Sequence, residues 1–522
     1  RAGPIIGPAA GQRATVPLLA FRVQSATAPD TDGDGLSDVA ERIVGSSLTK
    51  ADTNGDGMSD AAALQAGLDP SLGIPSLVGI VAALDTSGVA GDVSGRDNLV
   101  ALADGASGVV LYDAADRAGP RQLAQLPLPG PARAVAIQRP WLTVAADAAG
   151  VSIIDIADPL AARVVRTVGL GSSATSVAMS GGLALVGTSN GQVVALDLAT
   201  QQIIQRLALP GGSIQDVAFG RRRTVYVMIT GQLQVLRVLE DGSLEYVRSI
   251  AVPGAVGAGG RRLRLFAALD RLYVTFTNGV NVLDVSDPEL PVLLKTNSFN
   301  TQFGWKQLIL ATPSLALAAV GNNSTNDGPH NVQLHDVGAN GTVAAARAVI
   351  VTPGIAAAVG ILNGLGYVAD SESGLQVVNY LSTDTGTTPP TITLSANFTL
   401  MPTPRAEEGA RLLLTADARD DVQVRNVDLL IDGGLAQNDG NFPFEFGFTA
   451  PTRAGGRTHF TLQTRAYDTA GNVAVSPVLN VELVPDGTPP RVVRALPPVG
   501  TLSGNIAAMS ALFNEPLAPS TV

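Results

Sequence analysis

The sequence predicts a mainly β protein of several domains. Short runs of Ala, Val, Leu and Ile alternate with turns among 57 Gly and 33 Pro residues, which is typical of many short strands. Two Asp-rich loops lie near the beginning of the chain, and a unit of about 42 residues recurs through its centre. Because 522 residues are too many for one hydrophobic core, we expect three or four domains.

The composition excludes several classes of site. The formal net charge is -11, and such a chain repels a nucleic-acid backbone. The absence of cysteine excludes disulfides and thiolate metal sites. No apolar run reaches the roughly 18 residues of a membrane span. The chain begins at Arg1 without a signal peptide and stops at FNEPLAPSTV, so both ends are expected to be cut from a longer protein.

The segment DTDGDGLSDVAE, from Asp30 to Glu41, has the pattern of a calcium loop. Calcium prefers about six to eight oxygen ligands, and a loop of this length supplies them from positions 1, 3, 5, 7, 9 and 12. These positions hold Asp30, Asp32, Asp34, the carbonyl of Leu36, Asp38 (directly or through water) and Glu41. Because so many carboxylates would repel one another without a cation, we predict a calcium site here.

A second loop, DTNGDGMSDAAA, begins 22 residues later. Its position 12 is Ala63, which has no carboxylate. The second site is therefore either weaker, completed by an oxygen such as that of Asp69, or an unoccupied turn. The predicted ligands are Asp52, Asn54, Asp56, the carbonyl of Met58 and Asp60.

The short spacing of the two loops leaves no room for the paired helices of EF-hands. Residues 30–70 instead resemble the thrombospondin type 3 repeats and related bacterial arrays. The resemblance implies an extracellular spacer loaded with calcium. Residues 1–29 are expected to be a linker or the end of a preceding domain.

Residues 76–384 contain the recurring unit. Middle strands end at Asp113, Asp155 and Asp197, which are 42 residues apart, and this period is that of a β-propeller blade. The last unit lacks an outer strand, and residues 76–84 resemble one. We predict a seven-bladed propeller closed by residues 76–84, with four further middle strands that end at Arg237, Asp284, Asp336 and Asn379.

Three segments of these units, GYVADSESGLQVV, VSIIDIADP and VNVLDVSDP, resemble the LVIVD repeats. That resemblance implies a propeller of the kind found in secreted bacterial and archaeal proteins. The Asp after each middle strand is expected to bond its own backbone in a turn rather than to bind a ligand.

Residues 389–484 follow a TDTGTTPP linker and alternate like the strands of a β-sandwich. With AYDTAGN at Ala466 to Asn472, they resemble bacterial immunoglobulin-like domains, without the cysteine pair and core Trp of antibodies. Asp420, Asp421 and Asp468 either bind a third calcium ion or serve ordinary turns. Residues 488–522 resemble the start of a second, truncated domain of this type.

No nucleophile elbow, zinc-protease motif or Walker A loop occurs in the sequence. His330 and His335 lie in one long insertion, where solvated side chains are expected, and Trp141 and Trp305 are expected to pack in cores.

We therefore predict a non-enzymatic adhesion or scaffold segment of a secreted or cell-surface bacterial protein. Its expected partners are protein or glycan surfaces, with self-assembly possible. The alternatives are a shell, filament or surface-layer subunit, including a polymorphic-toxin shell, and a secreted propeller enzyme.

Overall fold

The computed structural model contains two short helices and 39 strands in the residues that it describes. The helices are α1 (Asp38–Val44) and α2 (Asp60–Gln65). No helix in this part of the chain has the length and apolar character needed to cross a membrane. The described residues are 29–44, 46–53, 59–65, 70, 78–115, 119–255, 262–299, 304–321, 330–381, 384, 386–398, 404–487, 491–496 and 510–513.

The central part of the described chain forms seven four-stranded antiparallel sheets. The first strand, β1 (Gly79–Leu84), stands apart from the sheet that follows it in sequence. The next three sheets contain β2–β5 (Asp92–Arg96, Leu99–Ala103, Val109–Asp113, Arg121–Leu126), β6–β9 (Ala134–Gln138, Trp141–Ala145, Val151–Asp155, Arg163–Val168) and β10–β13 (Ala174–Ser180, Leu183–Thr188, Gln192–Asp197, Gln202–Ala208).

The remaining sheets repeat this pattern and end with one that contains β1. Three are β14–β17 (Ile214–Phe219, Thr224–Ile229, Gln232–Val238, Leu244–Ala251), β18–β21 (Leu265–Ala268, Arg271–Phe276, Gly279–Asp284, Val292–Ser298) and β22–β25 (Trp305–Thr312, Leu315–Val320, His330–Val337, Val343–Thr352). The last joins β1 to β26–β28 (Ala358–Leu362, Leu365–Ala369, Leu375–Asn379).

The first strand of each four-strand unit, here called the inner strand, lies next to the inner strands of the two neighbouring sheets. The contacts run in order from β2 through β6, β10, β14, β18 and β22 to β26, and β26 contacts β2. The sheets therefore form a closed ring around a channel, which is the arrangement of a β-propeller.

The burial pattern of each sheet follows from its neighbours in the ring. All five residues of Leu99–Ala103, a second strand, are buried, because sheets cover both of its faces. The outer strand Arg121–Leu126 is exposed or half-buried throughout. Continuous apolar runs and polar outer strands in the sequence reflect this difference.

Strand β1 closes the ring. It pairs antiparallel with β28, so that Gly79 lies opposite Asn379 and Leu84 opposite Leu375. Val81, Ala82 and Leu84 pack against the core between the first and last sheets. This pairing agrees with the predicted joining of residues 76–84 to the last repeat.

Polar side chains link inner strands that share no backbone ladder. The Asp92 carboxylate on β2 accepts a hydrogen bond from the backbone N–H of Val135 on β6 (3.1 Å). The Asp216 carboxylate on β14 accepts a hydrogen bond from the backbone N–H of Leu265 on β18 (2.9 Å). The Gln307 side chain on β22 accepts one from the N–H of Val359 on β26 (2.9 Å).

The aspartates after the middle strands form turns, as predicted. Their carboxylates accept hydrogen bonds from backbone N–H groups two residues ahead at distances of 2.8–3.0 Å. The sequence therefore identified the role of four of them correctly: Asp113, Asp155, Asp197 and Asp284.

Two further sheets pack around a separate core to form a sandwich. One contains β29 (Thr391–Ala396), β31 (Arg411–Arg419) and β34 (Phe444–Thr449). The second contains β30 (Arg405–Glu407), β32 (Val424–Ile431), β33 (Gly434–Asp439), β35 (His459–Asp468), β36 (Val473–Val475) and β37 (Leu479–Val484). The core between them includes Phe446, Phe460, Leu414 and Leu429. Beyond it, β38 (Val492–Leu496) and β39 (Ser510–Phe513) form a hairpin-like pair, and the rest of residues 488–522 lies outside the described residues.

The sandwich contacts one end of the ring. The N–H of Asn363 donates to the carbonyl of Gly440 (3.0 Å), and the Arg411 guanidinium donates to the carbonyl of Gly181 (3.1 Å). Asn363 and Gly181 lie in turns between an inner strand and the strand after it. The opposite end of the ring is the one at which the inner strands begin.

We predict that the ring depends on β1. A chain that starts at residue 86 should lose at least about 3 kcal/mol of unfolding free energy relative to a chain that starts at residue 78, because the half-buried side chains of Val81, Ala82 and Leu84 and the pairing of β28 are lost. The open edge of β28 should also promote aggregation. Chemical denaturation of both proteins tests this, and equal midpoints would contradict it.

Candidate calcium loops and the mouth of the central channel

The first Asp-rich loop brings three predicted ligands together. Asp30, Asp32 and Asp34 each place one carboxylate oxygen within 4.8 Å of the other two. The loop holds this shape because the N–H groups of Gly33 and Gly35 donate to the Asp30 carboxylate (2.9 and 3.1 Å). Both glycines have positive φ angles of 76° and 94°, which other residues rarely adopt.

Helix α1 carries the predicted ligand at position 12. Glu41 is fully buried, and neither of its carboxylate oxygens has a hydrogen-bond partner. Burial raises the pKa of Glu41 to about 7, and the nearby carboxylates of Asp32 and Asp34 add to the shift. A buried carboxylate without a partner is costly, and a cation held among these oxygens would remove the cost. The residues present therefore fit calcium.

Asp38 has a different environment from the other predicted ligands. Its two oxygens accept hydrogen bonds from the N–H and the hydroxyl of Thr31 (2.8 and 2.9 Å). This geometry favours the predicted contact through water over direct ligation. Nothing in the structure reports on the carbonyl of Leu36, although the Leu36 side chain is buried.

The described part of the second loop repeats two hydrogen bonds of the first loop. The N–H and hydroxyl of Thr53 donate to Asp60 (2.8 and 2.6 Å), as Thr31 does to Asp38. Asn54, Asp56, Met58 and Asp69 lie outside the described residues. The two loops are joined, because the N–H of Ala61 donates to the Asp34 carboxylate (3.0 Å). Occupancy of the second site, with Asp52 and Asp60 as ligands, remains a prediction.

A cavity of about 1130 Å³ opens at the end of the ring opposite the sandwich. It is lined by residues that precede the inner strands and by turns between second and third strands. Charged residues on this lining include Arg133, Asp147, Arg262, Arg264, Lys306 and Glu372.

An ion-pair network that includes two of these lining residues, Arg262 and Arg264, crosses the channel. Arg264 Nη1 lies 2.7 Å from Asp92 Oδ1, and both side chains are about nine-tenths buried. Arg262 Nη2 lies 3.6 Å from Asp92 and 3.7 Å from Asp216. Arg262 also donates to the carbonyl of Thr175 (2.7 Å). The network thus ties the sheet that begins with β18 to sheets across the ring.

Sequence reasoning missed this network. Arg264 and Asp92 are 172 residues apart, and no local motif connects them. The sequence did contain one signal, which was the position of these residues in the repeats. Asp92 and Asp216 occupy equivalent places in the inner strands β2 and β14. Arg262 and Arg264 lie two residues apart, just before the inner strand β18.

The prediction for the histidines was wrong in one respect. His330 and His335 lie on β24 rather than in a solvated loop, and both are buried. The His335 ring packs against Trp305, with ring centres 5.0 Å apart, and its Nδ1 lies 2.9 Å from the carbonyl of Ala344. Burial lowers the pKa of His335. Trp305 is buried as predicted, and Trp141 is half-buried against a core.

The family model for the LVIVD repeat matches residues 270–301, which include the whole of β19, β20 and β21. No curated protein matches the chain. The chain is therefore similar to this repeat family over one sheet of the ring.

Several solved structures are similar to the chain at low identity. A β-propeller domain from Myceliophteria thermophila is 14% identical over 57% of this chain and 98% of its own, with a TM-score of 0.46. A chain of the mitotic checkpoint complex is 13% identical over 58% and 92%, with a TM-score of 0.46. The extracellular domain of a putative one-component system from B. thetaiotaomicron is 11% identical over 78% and 60%, with a TM-score of 0.42. The ring of seven four-stranded sheets shows the fold directly in the described residues.

We predict that Glu41→Gln weakens calcium binding at the first loop by more than about tenfold, because the substitution removes one of its charged ligands. The matched control is Glu372→Gln, which removes an exposed carboxylate at the channel mouth. Calorimetric calcium titration of the whole chain measures both. Equal affinity of Glu41→Gln and the wild type would contradict the predicted ligand role.

We predict that Arg264→Leu lowers the unfolding free energy by about 3–5 kcal/mol, since it leaves the buried Asp92 carboxylate without its closest partner. The double variant Arg264→Leu, Asp92→Asn should recover part of this loss, because its buried amide carries no charge. Chemical denaturation compares the three proteins. If the double variant is less stable than Arg264→Leu, the ion pair does not govern stability here.

Proposed function

We propose that this chain is a non-enzymatic, calcium-stabilised segment of a larger secreted or cell-surface protein that acts in adhesion or as a structural scaffold. In this proposal the seven sheets are the blades of one seven-bladed propeller. Residues 30–70 are a tandem calcium repeat like those of the thrombospondin type 3 family, residues 389–484 are an immunoglobulin-like domain, and residues 488–522 begin another.

The observation that carries the proposal is the buried, unpartnered carboxylate of Glu41 beside Asp32 and Asp34. Residues 30–70 contain few large apolar side chains, so burial alone cannot offset the conformational entropy lost on ordering them, which is about 1–2 kcal/mol per residue. Coordination must contribute the difference. Extracellular sites of this class bind calcium at about 10⁻⁴–10⁻³ M, and they fill outside cells rather than in a cytosol.

The geometry also favours one end of the ring as the binding face. The sandwich contacts the turns after the inner strands, so none of the described residues of the sandwich covers the cavity with Arg133, Asp147 and Glu372 at the other end. A concave polar mouth of this size suits a group that protrudes from a protein or glycan surface. We propose that the partner docks there.

The cross-channel network supports a second candidate, a secreted propeller enzyme, because acidic and basic groups converge at the channel. Two observations make binding the stronger proposal. Asp92 is paired with Arg264 and also accepts the N–H of Val135. Asp216 likewise accepts the N–H of Leu265 and lies beside Arg262. Carboxylates engaged in this way are poor general bases. A shell, filament or surface-layer subunit remains the other alternative.

Limited proteolysis with and without a chelator tests the calcium part of the proposal. Chelation should expose residues 30–70 to cleavage and leave the ring of sheets resistant, because the sheets have large apolar cores of their own. Asp32→Ala in excess calcium should reproduce the cleavage at the first loop. Equal protection of residues 30–70 under both conditions would refute the proposal.

Surface binding tests the functional part. The intact chain, screened against glycan arrays and cell surfaces in about 1 mM calcium, should bind a surface component without converting it. Reversal of charge at the mouth by Arg133→Glu should abolish binding, whereas Arg405→Glu on the sandwich should not. The enzyme alternative would instead be established if the chain converts a glycan, ester or peptide and Arg262→Met abolishes this turnover.

A further inference from the structure

A second group of carboxylates meets where the chain leaves the ring of sheets and enters the sandwich. Asp384 lies in the segment between β28 and β29, and Asp420 and Asp421 lie in the turn between β31 and β32. One carboxylate oxygen from each of the three lies within 4.8 Å of the other two. Residues from the linker and from the sandwich therefore share one site.

Two oxygens in this group are buried without a hydrogen-bond partner. Asp384 is 2% exposed; its Oδ1 accepts from the N–H of Gly386 (2.7 Å), whereas its Oδ2 has no partner. Asp420 Oδ2 accepts from the N–H groups of Val422 and Gln423 (3.0 and 2.8 Å), whereas its Oδ1 is buried without one. Each carboxylate is thus fixed through one oxygen and leaves the other available.

No positive side chain compensates these charges in the part of the chain that the structure describes: none of the ion pairs there involves Asp384, Asp420 or Asp421. The adjacent Arg419 pairs with Asp417 instead (2.9 Å). Burial raises the pKa of Asp384, and the carboxylates of Asp420, Asp468 and Asp421 raise it further. The geometry concentrates negative charge without a counter-charge, an arrangement that a bound cation would stabilise.

The sequence grouped Asp468 with Asp420 and Asp421. In the structure, Asp468 instead positions Asn472, which contacts the linker. Its two oxygens accept hydrogen bonds from the backbone N–H and the side-chain amide of Asn472, both at 2.8 Å. That amide also donates to the carbonyl of Gly386 (2.9 Å). Asp468 and Asn472 therefore hold the linker in place, and Asp384 is the third carboxylate of the cluster.

We propose that Asp384, Asp420 and Asp421 bind a calcium ion that fixes the sandwich to the ring of sheets. An all-oxygen set of carboxylates is the donor set that calcium prefers. The Gln423 side chain, which follows the turn, donates to the hydroxyl of Tyr380 at the end of the last sheet. The ion would therefore act beside an existing contact. The physiological setting rests on the proposed function, but the binding itself does not.

Calcium titration of the whole chain, followed by calorimetry and by hydrogen exchange, tests this site. Calcium should slow exchange of the Val422 and Gln423 amides in the wild type and in Asp417→Asn, a control on the same sandwich. Asp384→Asn should remove this protection and one calcium-binding equivalent. Without calcium, Asp384→Asn should melt at the same temperature as the wild type or higher, because it relieves repulsion while it keeps the acceptor for Gly386.

Asp421 is exposed, so Asp421→Asn serves as a second variant if Asp384→Asn fails to fold. It should weaken calcium binding in the same way. Glu41→Gln should leave the protection of Val422 and Gln423 intact, so failure of the first loop and failure of this site give different results. Absence of calcium-dependent protection in the wild type would overturn the proposal. Its persistence in Asp421→Asn, or equal protection by magnesium alone, would also overturn it.

Discussion

Closure of the ring is the constraint on which the rest of the structure depends. The second and third strands of the sheets are largely apolar and are buried on both faces, so a sheet is stable only when a neighbour covers each face. Strands such as Leu99–Ala103 and Leu365–Ala369, which are wholly buried, show this requirement. The last sheet lacks its own outer strand, and β1 supplies it from the other end of the repeat region. The ring is thereby closed by backbone pairing.

This mode of closure places the attachments of the flanking modules close together. The calcium loops precede β1, and the linker to the sandwich follows β28, which is the strand that β1 pairs with. Both modules are therefore joined to the same sheet.

Local features of the fold were accessible from the sequence, whereas contacts between distant segments were not. The turn aspartates, the middle strands and the first calcium loop depend on residues close together in the chain, and pattern alone predicts them. Strand β33, with the polar sequence GLAQND, escaped prediction because its pairing with β32 determines it. Asp384 stood in a segment that reads as a linker. Its role depends on how the sandwich packs, which no spacing in the sequence encodes.

Buried acidic groups in this chain are stabilised in two different ways. In the channel, Asp92 and Asp216 receive Arg262 and Arg264 from another sheet together with backbone N–H groups, so the protein supplies the counter-charge itself. At Glu41 and Asp384, buried oxygens lack any such partner. Because an uncompensated buried charge is costly, Glu41 and Asp384 are the residues at which we propose that a metal ion supplies the counter-charge.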